Sequence, residues 1–213
     1  MIRTLLISLV LACLSHANPT LNIRCLLATG DEMPKWHIVT EEGKFQPLTW
    51  PSNQPTQALE IAGVQELTLY AEDVDEGHKA VQTLVIPEGA EEVLLIATAD
   101  GEEPKVSVVA DNLKQATYKD WLVINLSELE VNLSYGKDKE PVNLQAEEAK
   151  IYTIEGTAGE SDEVIAQAKV GDKMRKIYST YWKASADQRA LVIITSKDGR
   201  PKVKRITDFL PKE

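Results

Sequence analysis

The chain has 213 residues, of which 43% are hydrophobic and 26% are charged, and its formal net charge at pH 7 is −10. This composition is typical of a globular protein and excludes a disordered tail, a collagen and a coiled coil. The excess of acidic residues disfavours nucleic acid as a partner, because that affinity depends on a local density of cationic side chains.

Residues 1–17 have the pattern of a secretory signal peptide. Arg3 precedes an apolar run from Leu5 to Leu14, and the small side chains of Ser15 and Ala17 fit a signal-peptidase site. The run is about half as long as the roughly 20 residues that a membrane-spanning helix needs. We therefore expect cleavage near Ala17 and a secreted or periplasmic product without a transmembrane segment.

Two cysteines bear on this interpretation. An alternative to the signal peptide is a lipoprotein processed at Cys13, which the bulky Leu11 disfavours. Cleavage near Ala17 would leave Cys25 without a second cysteine, so that no disulfide could form within the chain. Because the neighbours of Cys25 are apolar, we expect a buried side chain on a strand rather than a reactive thiol.

Apolar and polar residues alternate along much of the remaining chain. Alternating segments, which are typical of half-buried strands, lie at residues 66–71, 105–108, 130–135 and 150–154. Residues 93–97 and 190–194 are continuously apolar, which favours central strands. Turn residues separate these segments at a spacing of roughly ten residues, as in β sandwiches and barrels. The stretch 160–169 fits a helix about as well as a strand.

The second half of the chain repeats the pattern of the first. Residues 94–98 and 191–195 match at a constant spacing, and Asp111 matches Asp208 at the same spacing. We therefore expect an all-β protein with two tandem immunoglobulin-like β-sandwich units related by internal duplication. The predicted repeats span residues 18–112 and 120–213, joined by a linker at 113–119.

Three features of the second half carry a resemblance to a known group of proteins. They are the segment Ile124–Ser127, the strand around Trp182 and the segment Gln188–Val192. With these features the chain resembles small exported bacterial β-sandwich proteins of unassigned function. The resemblance implies an exported β protein and brings no catalytic residues with it.

Trp50 is a candidate ligand-binding residue. It lies in a loop rich in proline and asparagine, where an exposed indole ring would stack on a sugar or on a partner. The alternative is an indole that packs back over the edge of the sandwich, as loop side chains often do.

An acidic loop is the candidate metal site. Its carboxylates belong to Glu72, Asp73, Asp75 and Glu76, and oxygen ligands on a tight turn suit Ca²⁺ outside the cytosol. The loop lacks the Asp-x-Asp-x-Asp-Gly spacing, and acidic runs often only face water. Calcium is the only cofactor that the sequence suggests.

A basic hairpin near the C-terminus is the candidate interaction surface. Its cationic side chains belong to Lys197, Arg200, Lys202 and Lys204. Residues 72–103 are strongly acidic, so attraction between the two ends of neighbouring copies predicts weak head-to-tail self-association. The alternative is that both are solvated surfaces without a partner.

These features favour an exported, non-catalytic protein with a binding or structural role in the periplasm or at the cell surface. Its partner would be an envelope or cell-surface protein or a glycan. One alternative is a carbohydrate-binding accessory module. A second is a hydrolase that uses a scattered carboxylate pair, for which the candidates are Glu41, Glu42, Asp73 and Asp75.

Overall fold

A computed structural model describes residues 20–40, 42–73, 77–99, 103–136, 139–197 and 200–211. The signal peptide predicted at residues 1–17 and the alternative processing site at Cys13 lie outside these ranges. The described residues form sixteen strands and no helix, so the all-β prediction is confirmed. Nowhere in those ranges is there a helix long and apolar enough to cross a membrane.

The strands fall into two sets of eight. The first half contains β1 (Thr20–Thr29), β2 (Trp36–Val39), β3 (Phe45–Pro47), β4 (Leu59–Ala62), β5 (Glu66–Asp73), β6 (Gly77–Val85), β7 (Glu92–Thr98) and β8 (Lys105–Ala110). The second half contains β9 (Asp120–Asn125), β10 (Val131–Tyr135), β11 (Val142–Leu144), β12 (Ala149–Thr153), β13 (Ser161–Val170), β14 (Lys173–Lys183), β15 (Gln188–Lys197) and β16 (Arg200–Phe209). The stretch 160–169, which was ambiguous in sequence, is therefore almost entirely strand β13.

Both halves arrange their strands in the same order. The first half has the sheets β4-β1-β7-β8 and β3-β2-β5-β6, and the second has β12-β9-β15-β16 and β11-β10-β13-β14. Neighbouring strands are antiparallel except for β1 with β7 and β9 with β15, which are parallel. Each half has eight strands, one more than the seven of a constant-type immunoglobulin sandwich.

Each half has an apolar core between its two sheets. In the first half, Ile23 and Cys25 of β1 and Leu95 of β7 lie in this core with Leu69 from the other sheet. In the second half, Trp121 packs against Trp182 at a ring-centroid distance of 5.5 Å. Ile23 and Cys25 are alternate residues of β1, because successive side chains of a strand point to opposite faces of the sheet.

A third apolar core joins the two halves. Leu94 and Ile96 of β7 pack in one cluster with Leu191 and Ile193 of β15, and all four side chains are fully buried. The sheet of β7 therefore packs face to face with the sheet of β15, and the protein is a stack of four sheets. This explains the continuously apolar segments, because β7 and β15 are covered on both faces. Each fully buried leucine or isoleucine contributes roughly 1.5–3 kcal/mol to stability.

We expect the Cys25 thiol to be unreactive in the folded protein. The side chain is 3% exposed, and burial raises its pKa to about 12, so that almost no thiolate forms at neutral pH. Ellman's reagent added to the chain that begins after Ala17 should modify native protein at least about 100-fold more slowly than unfolded protein. A Cys25→Ser variant gives the background, and rapid stoichiometric labelling of native protein would contradict the expected burial.

Candidate functional site

A ring of four buried charges spans the boundary between the two halves. Arg24 donates to Asp208 at 2.5 and 2.9 Å and to Asp111 at 2.5 Å. Arg189 donates to Asp111 at 2.5 Å, to Asp208 at 2.9 and 3.0 Å and to the side chain of Asn112 at 2.8 Å. Each carboxylate thus accepts from one arginine of each half, and the ring is electrically neutral.

The ring is stable in the buried interior because its positive and negative charges compensate each other. The side chains of Asp111 and Asp208 are 1% and 2% exposed, and that of Arg189 is fully buried. Burial alone would raise the pKa of Asp111, but the charges of Arg189 and Arg24 outweigh it and hold that pKa below its usual value. Removing one member of such a ring leaves a charge without compensation in the interior, which is strongly destabilising.

The lowered pKa of Asp111 predicts a loss of stability in acid. The contribution is fully present above the carboxyl's unfolded pKa of about 3.9 and disappears as the pH falls through the lower folded value. We expect urea unfolding at pH 7, 4 and 3 to show this loss, and Asp111→Asn to be less stable at pH 7 with a weaker pH dependence. An Asp111→Asn variant with the same pH profile as the parent would contradict this.

An open groove also lies at the boundary of the two halves. It has a volume of about 830 Å³ and runs between β8 of the first half and β9 and β12 of the second. Its apolar floor includes Val109, Leu122, Ile124 and Leu126. Its polar rim carries Lys105, Ser107, Glu128, Glu147, Glu148 and Lys150. An apolar floor with a polar rim is the arrangement of a binding groove.

Trp50 is half-buried and packs against the core of the first half. Its indole Nε1 is buried and has no hydrogen-bond partner among the residues that the structure describes. This placement resembles the alternative in which the ring packs against the sandwich. A role of Trp50 in ligand binding stays a prediction.

The structure places only part of the acidic loop. Glu72 and Asp73 end β5, whereas Asp75 and Glu76 lie outside the described residues. Within the described ranges there is no group of three or more histidine, cysteine or carboxylate side chains that could hold a metal ion. The calcium site stays a prediction, which titration calorimetry would test.

The carboxylate pair of the hydrolase alternative is placed only in part as well. Glu42 is exposed and forms an ion pair with Lys44 at 2.5 Å. Glu41, like Asp75, lies outside the described residues. The distance between candidate carboxylates that this alternative requires is therefore not defined, and the alternative stays a prediction.

The outer face of the sheet β3-β2-β5-β6 carries an aromatic cluster that sequence analysis did not predict. Phe45 stacks on His78 at 3.6 Å between ring centroids, and Tyr70 meets Phe45 edge-on at 5.3 Å. His37 lies edge-on to His78 at 4.9 Å, and its Nε2 is 3.6 Å from a carboxylate oxygen of Glu72. These residues are far apart in sequence, and strand pairing brings them together.

The basic hairpin has two environments. Arg200 and Lys202 are exposed at the start of β16, whereas Lys204 donates to the backbone oxygen of Ser52 in the first half at 2.9 Å. Partial burial lowers the pKa of Lys204. For Lys197 the structure describes only the backbone, as the last residue of β15. Self-association through this hairpin stays a prediction, which sedimentation at low and high salt would test.

Comparison with known proteins adds no functional assignment. No model of a known protein family matches the chain, and no curated protein is significantly similar to it.

Proposed function

We propose that the protein is an exported, non-catalytic binding protein of the periplasm or cell surface. Export is supported by the signal-peptide pattern of residues 1–17. The binding role is supported by the open groove of about 830 Å³ between the halves, which is the observation that carries the proposal. The shared apolar core and the buried ring connect the two halves that form the walls of this groove, and walls that are already ordered lower the cost of binding.

We further propose that the halves are immunoglobulin-like units that arose by internal duplication. The identical strand orders and the two equivalent parallel pairs support this origin. The matching sequence spacing of Asp111 and Asp208 supports it as well, because both residues fill the same place at the end of the last sheet-forming hairpin. Superposition of the two halves in an experimental structure would test it.

Export and binding can be tested in one bacterial expression experiment. We expect the protein in the periplasmic or surface fraction, with an N-terminus at Asn18. A photo-crosslinking residue in place of Ser107, in the groove, should capture a specific partner, whereas the same residue in place of the exposed Thr83 should not. Cytoplasmic protein with an intact N-terminus would contradict export, and equal capture from both positions would contradict a binding groove.

A carbohydrate-binding accessory role is a second candidate, favoured by the aromatic cluster on the outer sheet. Phe45 is 40% exposed there, beside Tyr70 and His78, and aromatic faces stack on sugar rings. Calorimetry with a panel of oligosaccharides should then give heat that Phe45→Ala removes. The absence of heat at millimolar concentrations across the panel would contradict this candidate.

A further inference from the structure

We propose that the open groove binds an extended peptide that carries a basic side chain. The inference deepens the proposed binding role and rests on it. It depends on a comparison of this groove with the equivalent surface formed by β16 of the second half and β1 of the first.

The corresponding surface, which β16 forms with β1 and the segment that leads into β4, is bridged by the chain itself. In that segment, the backbone oxygen of Pro51 accepts from the amide of Leu27 at 2.9 Å, and the amide of Thr56 donates to the oxygen of Cys25 at 3.0 Å. Between these two anchors, the backbone oxygen of Ser52 accepts the hydrogen bond from Lys204, so the segment connects β1 with β16.

The open groove lacks this bridge. The connection from β11 to β12 covers only residues 145–148, whereas that from β3 to β4 covers residues 48–58. In the shorter connection, the backbone oxygen of Glu148 accepts from the amide of Asn125 at 2.8 Å, in the same way as Pro51 accepts from Leu27. The residue of β8 that corresponds to Lys204 is Ser107, because each pairs with the matching isoleucine of the adjacent strand. A serine side chain is too short to cross the groove.

The floors of the two sites differ accordingly. Ala28 is 5% exposed and Ile206 is 2% exposed on the bridged side. Their counterparts are Leu126, which is half-buried, and Val109, which is 8% exposed. The open groove therefore keeps apolar surface at Leu126, whereas Val109 is buried like its counterpart Ile206. A segment like residues 51–55 would cover Leu126. On the bridged side, the occupant is an extended segment whose backbone oxygens accept hydrogen bonds from the neighbouring strands. A peptide of the same kind therefore suits the open groove.

The charges on the rim of the groove indicate which charge the bound peptide carries. Glu128 and Glu147 are exposed, and in the described part of the chain neither carboxylate has an ion-pair partner. Glu148, by contrast, pairs with Lys150 at 2.9 Å. The amine of Lys105 lies on the opposite wall of the groove, so the two unpaired carboxylates outnumber it. An extended peptide with a basic side chain complements this rim.

The test uses the full-length processed protein and a synthetic probe. The probe is a fluorescein-labelled peptide with the sequence of residues 51–57 carrying Asn53→Lys, and binding is measured by fluorescence anisotropy. We expect saturable binding with a Kd below about 100 μM. Ser107→Trp, which fills the groove from an exposed position, should weaken binding at least about tenfold. Thr83→Trp, on the outer sheet of the first half, is the matched control and should leave binding unchanged.

A charge exchange separates groove binding from general attraction to an acidic protein. The double variant Glu128→Lys and Glu147→Lys should lose affinity for the lysine probe and gain affinity for the same peptide carrying Asn53→Glu. Thermal unfolding of each variant verifies that it folds. No binding at 1 mM, or binding that Ser107→Trp leaves unchanged, would overturn the inference. If either result occurs while the photo-crosslinking residue at position 107 still captures an exported partner, the peptide inference fails and the proposed function stands.

Discussion

Replacing Asp208 with alanine is expected to lower the free energy of unfolding by about 3–5 kcal/mol. The substitution leaves Arg24 and Arg189 at the boundary of the halves with a single carboxylate between them, and both guanidinium groups are nearly inaccessible to water. Urea unfolding monitored by circular dichroism measures the loss. Total stability of a domain is of the order of 5–15 kcal/mol, so this one change removes a large part of it.

The matched control is the exposed ion pair of Glu42 and Lys44. Its side chains are 71% and 76% exposed, and removing an exposed pair costs about 0–1 kcal/mol. Glu42→Ala should therefore unfold at nearly the same urea concentration as the parent. A loss below about 1 kcal/mol for Asp208→Ala would show that the buried ring does not hold the halves together.

Replacing Ile193 with aspartate is expected to abolish cooperative folding of the whole protein. Ile193 is fully buried in the core between the halves, where a carboxylate would have no partner. Ile193→Ala is the measurable version and should cost about 2–5 kcal/mol in urea unfolding. Leu95→Asp places the same charge in the core of the first half and should be equally disruptive.

Val85→Ala serves as the control for the substitutions of Ile193 and Leu95. Val85 is 71% exposed on β6, so its truncation should change stability by no more than about 0.5 kcal/mol. The sequence alone predicts that Ile193→Asp unfolds only the second half. Because the side chain faces the shared core, we expect both halves to respond, and an intact first half in Ile193→Asp would contradict the face-to-face packing.

Local patterning predicts the strands well. The alternation at 66–71 and 130–135 reflects one buried and one solvated face, and these segments lie in β5 and β10. The match between 94–98 and 191–195 corresponds to the equivalent strands β7 and β15. Periodicity is a local property, so it is available in the sequence without knowledge of tertiary contacts.

The buried ring depends on contacts that periodicity does not encode. Arg24 lies inside the apolar strand β1, and Arg189 directly precedes the apolar run of β15, which signals that each needs a buried partner. That both share Asp111 and Asp208 depends on how two sheets from different halves face each other. The apolar runs at β7 and β15 indicate burial on both faces but not what covers the second face.

The open groove was not predicted for a similar reason. Among the candidates that the structure describes, Trp50, Glu72 and Lys204 do not line it, because sequence reasoning selected conspicuous side chains rather than a difference in loop length. The connection at 145–148 has four residues against eleven at 48–58, and this difference leaves the groove unbridged. The four-residue gap between the matched repeats lies after β12, between Gly156 and Glu163, so the sequence match gave no signal for the shorter connection.

Hydrogen exchange of the native protein tests most directly whether the two halves form one body with a fixed groove. We predict that amides in the middle of β7 and of β15 exchange with the same free energy of opening, within about 1 kcal/mol. Asp208→Ala should lower both values by equal amounts. Two distinct free energies, with only β15 responding to Asp208→Ala, would contradict the shared core and the rigid groove that depends on it.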